Sequence, residues 1–144
     1  MVGLDPLPIR AAVNPYRRIV WWIVDAMNVI GSRPDGWWKN RRGAMVGLVD
    51  RLDRWAAAEG HRVTVVFEKP VSPPIDSAVI EIGHAPIAAA DSADDEIVRL
   101  VRADRRPQDI TVVTSDSRLA DRVRGVGASI FPSASFRALI ESVR

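Results

Sequence analysis

Residues 19–25 read Ile-Val-Trp-Trp-Ile-Val-Asp. A continuous run of β-branched and aromatic residues marks a strand covered on both faces, as inside a parallel sheet, whereas a half-exposed strand would alternate. The run from Ile19 to Val24 stops at Asp25, which puts a carboxylate at the strand's carboxyl end. Outward from it, strand and helix signals interleave. A loop with Gly31, Pro34 and Gly36 leads to a helix over about 41–59, where Met45, Leu48, Val49, Leu52, Trp55 and Ala56 recur at helical spacing and Gly60 supplies a stop. Val63–Phe67 is the second strand, and after the proline-rich loop Lys69–Pro74 the stretch Ala78–Ile82 is the third, its direction left open by the short connection. Asp91–Ala103 is helical, with Ile97, Leu100 and Val101 on one face and a start at Ser92–Asp95 close to a capping box. Ile110–Thr114 is the fourth strand, Ser117–Arg124 a short helix ended by Gly125 and Gly127, Ser129–Phe131 the fifth strand, and Phe136, Leu139, Ile140 and Val143 line a last helix. Alternation of this kind predicts an α/β sandwich around a mainly parallel sheet of about five strands.

With 144 residues the chain is one domain's worth, read as a leader over 1–16 and a folded domain over 17–144. A hydrophobic share of 47% and a charged share of 26% exclude disordered and collagen-like chains. The longest apolar run is far too short for a bilayer of about 30 Å. No cysteine is present, which removes disulfides, thiolate zinc sites and a cysteine nucleophile. The N-terminal stretch has no apolar signal-peptide region, so the expectation is a cytoplasmic protein without membrane contact. Net charge is only +2, and Lys39 and Lys69 are the only lysines, so total charge does not announce a nucleic-acid partner. Local charge does: Arg33–Arg42 reads RPDGWWKNRR, in which Arg33, Lys39, Arg41 and Arg42 surround Trp37 and Trp38, a combination suited to phosphates and unpaired bases. Trp21, Trp22 and Trp55 fall in core patterns instead.

Ligand sites in open α/β sheets form beyond the carboxyl ends of the strands, near the reversal of strand order. Acids stand there: Asp25 after the first strand, Asp116 two residues past the fourth, and Asp94 in the first turn of the intervening helix. Asp94 lies three and seven residues from Ile97 and Val101 and so faces the sheet, while Asp95 points about 100° away. Each acid alone reads more readily as a cap or strand end, and it is their joint placement that points to a site. Together, without an interposed base, they repel one another unless a cation intervenes. Oxygen-only donors suit Mg²⁺ or Mn²⁺ and water attack on a phosphodiester, with Asp95 the candidate for a fourth ligand and Asn28 and Ser115 beside the site. Asp121 reads as solvated surface, and His61 and His84 are too few and scattered for zinc. Neither G-x-G-x-x-G nor G-x-x-x-x-G-K-[ST] occurs, so no nucleotide cofactor is expected.

VDAMNVIGS at 24–32, SADDEIVRLV at 92–101 and VVTSDSRLADRVRGVGA at 112–128 together resemble the NYN domain, a branch of the PIN-like nucleases, and within it the single-domain bacterial subgroup that includes a ribosome-associated endoribonuclease. The resemblance spans about residues 18–140. It implies a three-layer α/β/α fold, Mg²⁺- or Mn²⁺-dependent cleavage of RNA, messenger RNA on ribosomes as substrate, and metal ligands at Asp25, Asp94 and Asp116, with Asn28 and Ser115 beside them. One segment departs: where many relatives carry an F-D-G-like sequence, this chain has Phe67-Glu68-Lys69. That departure motivates an alternative, a non-catalytic RNA- or ribosome-binding module on the same fold. A receiver- or phosphohydrolase-type domain is disfavoured, because Asp25-Ala26-Met27 lacks a second aspartate and no lysine follows a late strand.

Overall fold

The computed structural model describes residues 20–86 and 92–142, so the leader, Ile19, Asp91 and Val143 lie outside the described residues. Its elements are β1 (Trp21–Asp25), α1 (Ala26–Ile30), α2 (Arg41–Glu59), β2 (Arg62–Phe67), β3 (Glu81–His84), α3 (Ser92–Ala103), β4 (Ile110–Val113), α4 (Ser117–Val126), β5 (Ser129–Phe131) and α5 (Ser133–Glu141). Five strands form one sheet in the order β3-β2-β1-β4-β5. Every pairing is parallel, the third strand included. The chain builds outward from β1 to β3, returns through α3, and resumes on the other side of β1. Strand order therefore reverses between β1 and β4.

Two cores flank the sheet. Val24, Val65 and Phe67 face α1, α2 and α5, whose buried residues include Leu52, Trp55, Phe136 and Ile140. Ile23, Val66 and Val112 face α3 and α4 through Ile97, Val101, Leu119 and Val123. Successive strand side chains point to opposite faces, which is why neighbours on β1 and β2 belong to different cores. Trp22 packs its ring against Trp55, Phe131 and Phe136 at centroid separations of 5.2, 5.6 and 5.6 Å, and Trp21 donates its Nε1–H to Thr64 Oγ1 at 2.9 Å, so both serve packing.

Some boundaries differ from the sequence expectation. The third strand starts at Glu81, not Ala78, because a carboxylate captures the preceding amides. Asp53 on α2 accepts from Ser77 Oγ at 2.6 Å and from the N–H groups of Ala78, Val79 and Ile80 at 3.4, 3.3 and 3.1 Å, leaving them unavailable to a sheet ladder. Gly125 does not end α4; the helix runs to Val126, and Gly127, at φ 115°, supplies the left-handed residue. Leu139 is exposed on α5, while Phe136 and Ile140 are buried. α1 and the 3-10 turn at Trp37–Lys39 lack a periodic signal because each spans barely a turn.

Asp53 thus fixes the connection that replaces a helical crossover between β2 and β3. Asp53→Ala leaves several donors without an acceptor and should lower unfolding free energy by about 2 kcal/mol in urea titration. A change below about 0.5 kcal/mol would show that the loop is held by other means.

Candidate active site

Asp25 shares the sheet face of Ile23, on the α3 and α4 side, at the carboxyl end of β1. It is the only buried carboxylate among the described residues, with 7% of its surface exposed. Thr114, the first residue beyond β4, donates from Oγ1 to Asp25 Oδ2 at 3.0 Å, and the same Oγ1 accepts the backbone N–H of Asp116 at 3.1 Å. A single threonine hydroxyl therefore ties Asp25 to the turn that carries Asp116. Asp116 caps α4, its Oδ1 accepting from the N–H groups of Arg118 and Leu119 at 2.9 and 3.2 Å. Asp94 is half-buried in the first turn of α3.

Burial is the largest influence on Asp25 and raises its pKa; Asp94 and Asp116 raise it further, and the Thr114 hydroxyl and Asn28 backbone N–H pull only partly the other way. The outcome is a carboxyl pushed up to about 7. Every charge acting on it is negative. A buried acid on which only negative charges act, flanked by two further acids, is a place where a cation would be favourable. That donor set fits a hard divalent cation, which accepts all-oxygen ligation and completes its shell with water and phosphate. Among the described residues no group of three carboxylate or imidazole side chains is placed to hold a metal ion by itself. An ion held by one or two carboxylates plus waters is the usual arrangement for Mg²⁺.

Asn28 and Ser115 meet at the same edge. Asn28 Oδ1 accepts the Ser115 N–H at 2.8 Å and the Ser133 hydroxyl at 2.6 Å, and Ser115 Oγ accepts the Ser133 N–H at 2.9 Å. These bonds lock α1, the turn after β4 and the start of α5 to one another. Thr114 and Ser133 are the residues that sequence reasoning missed. Thr114 sits inside the T-S-D segment that carries the family resemblance, but Ser133 has no local signal, since its partner is 105 residues away.

Asp95 is exposed and accepts from Arg122 Nη1 at 3.0 Å, and it is not among the groups acting on Asp25. Asp121 is likewise exposed, 3.8 Å from Arg124. Of the basic loop, Arg33 is held by Glu141 at 2.6 Å, and the Arg41 guanidinium lies over the half-buried Trp37 ring at 5.2 Å. Trp38, 52% exposed, presents its ring to solvent. Glu68 is exposed past β2 and does not act on Asp25 either.

The raised pKa has a stability consequence. Below pH 4 Asp25 is neutral whether the chain is folded or not. Between about 4 and 7 the unfolded chain ionises while the folded one resists, so stability falls as pH rises and levels off above 7, a loss of roughly 4 kcal/mol. In metal-free buffer, Asp25→Asn should therefore melt at a higher temperature than the unaltered protein at pH 8, with the advantage vanishing near pH 4. A variant less stable at pH 8 would contradict this electrostatic picture.

Comparison with solved structures finds the same fold in Rae1 (YacP) from Bacillus subtilis. The match has a TM-score of 0.73 at 24% identity and covers 86% of this chain and 75% of that one. A point mutant of the same protein matches with a TM-score of 0.72 at 23% identity, covering 86% and 76%. Comparison with curated proteins finds no match. Among the described residues no helix is long and apolar enough to cross a membrane. The family model of the YacP-like NYN domain matches residues 22–144, which includes Asp25, Asp94 and Asp116 and every strand from Trp22 onward, and the chain belongs to that nuclease family.

Proposed function

We propose that this protein is a metal-dependent endoribonuclease that hydrolyses phosphodiester bonds in single-stranded RNA. The observation that carries the reading is Asp25: an acid buried at the reversal of strand order, on which the only charges that act are those of other acids. Membership in a nuclease family supports it. Asp25, Asp94 and Asp116 are the residues that would hold Mg²⁺ or Mn²⁺, and Asp95, engaged with Arg122, stands outside that set. Such an ion supplies charge that offsets the phosphate and lowers the pKa of an attacking water.

The chain's own groups do the rest. Thr114 orients the Asp25 carboxylate through its hydroxyl. Asn28 and Ser133 position the Ser115 turn, and because Ser115 Oγ already accepts a bond, its proton is left to donate to a phosphate oxygen. Lys39, Arg41 and Arg42 are exposed and supply the attraction for the RNA backbone, with Trp38 as a stacking surface. Arg33 contributes by holding its loop against α5 through Glu141. Messenger RNA, met on the ribosome in the cytoplasm, is the substrate class that the family resemblance carries over.

Cleavage of a labelled single-stranded RNA tests the reading. Asp94→Asn and Asp116→Asn should each lose at least about 100-fold in rate, as should the unaltered enzyme in EDTA, since several kcal/mol of charge stabilisation disappear. Asparagine caps helices about as well as aspartate, so the fold of Asp116→Asn survives. Undiminished cleavage by both variants would overturn the assignment.

A further inference from the structure

A second concavity lies across the sheet edge from the carboxylates. It has a volume of about 220 Å³, and its apolar wall comes from Met27, Met45, Phe67 and Val71. Its position follows from register. Asp25 pairs with Val66, so Phe67 is one residue beyond the partner of the acid, on the next strand and on the opposite sheet face. Met27 is two residues beyond Asp25 in α1. The pocket thus opens on the α2 side of the edge whose other side carries the acids.

Its rim is mostly basic: Arg41, Arg42 and Lys69 border it beside one acid, Glu68. Arg42 donates from Nη1 to Pro73 O at 2.7 Å and so anchors the loop that brings Val71 and Ser72 to the wall. Lys69 makes no hydrogen bond or ion pair among the described residues. An apolar slot with three cations on its rim matches one chemistry well: a planar base inserted against polarisable methionine, with phosphates of the same strand outside on the cations. The volume lies below the roughly 300–1,000 Å³ of whole small-molecule sites, so a single flat group fits better than a complete cofactor.

We infer that this pocket receives one unstacked base of a single-stranded RNA whose backbone crosses the sheet edge to the carboxylates. The inference rests on the nuclease reading of those carboxylates and adds a specificity device to it. A base held in a duplex cannot enter the slot, so the pocket selects single strands. The non-family residues Glu68-Lys69 acquire a place here: they belong to the base pocket's rim rather than to the acidic site.

Equilibrium binding in EDTA tests the pocket apart from cleavage. The probes are an oligouridylate of about eight nucleotides and an abasic backbone of equal length, within the site sizes of single-strand binders. The unaltered protein should favour the base-bearing probe by at least about fivefold. Met45→Asp and the loop variant Val71→Asp should abolish that preference, and Met45→Leu should keep it. Lys69→Ala should weaken both probes alike and flatten the salt dependence. Equal affinity for both probes, or a preference that survives both aspartate variants and disappears in Trp38→Ala, would overturn the inference. Because no cleavage occurs in EDTA, a protein that shows the base preference but never cuts RNA in Mg²⁺ sinks the nuclease reading alone. One that cuts RNA without the preference sinks the pocket alone.

Discussion

The bond between the Thr114 hydroxyl and the Asp25 carboxylate is the constraint on which the rest of the site depends. It joins the ends of β1 and β4, the two strands between which the sheet reverses order, and it holds an acid where water is scarce. In isolation that placement is unfavourable, since a carboxylate removed from solvent and set near Asp94 and Asp116 prefers to keep its proton. A protein retains such a group only where the surrounding fold outweighs it. Here the fold does so through two apolar cores that meet at β1 and through the hydrogen bonds that gather Asn28, Ser115 and Ser133 beside it.

Strand alternation then distributes the functional groups. Odd positions of β1 face α3 and α4, so Asp25 meets the acids carried by those helices. The opposite face of the same edge receives Met27, Phe67 and the first turns of α2, with their methionines and arginines. The acids around Asp25 and the basic residues Arg41, Arg42 and Lys69 are therefore separated by one thickness of sheet. In the proposed function, the RNA backbone is drawn to the basic residues and its phosphate would meet the carboxylates through a bridging cation. A net charge of only +2 is thus compatible with a local basic surface of the kind the proposed RNA substrate requires.

Much of this was legible in the sequence because it is local. The unbroken run through Val24 declared a doubly covered strand, and the helical spacing from Met45 to Ala56 fixed α2 from Arg41 to Glu59. Asp94 could be separated from Asp95 by helix geometry alone, and the ion pair of Asp95 with Arg122 accords with that. What stayed hidden depends on contacts between distant segments. Asp53 displaces the start of β3 through bonds to residues at least 24 positions away, and Ser133 reaches Asn28 across the whole domain. No periodicity records such pairings. The resting places of Arg33 and Trp37, one against Glu141 and the other half-buried beneath Arg41, follow from how α5 and α2 pack, which composition of the loop does not encode.

Burial and neighbouring acids hold the Asp25 carboxyl largely protonated up to about pH 7, and the proposed divalent cation would relieve it. Following the Asp25 side-chain carboxyl carbon by NMR against pH tests this most directly. The midpoint should fall near 7 in metal-free buffer and move below about 5 when saturating Mg²⁺ is added, because a neighbouring positive charge favours the ionised form. A midpoint near 4 that is indifferent to Mg²⁺ would contradict it.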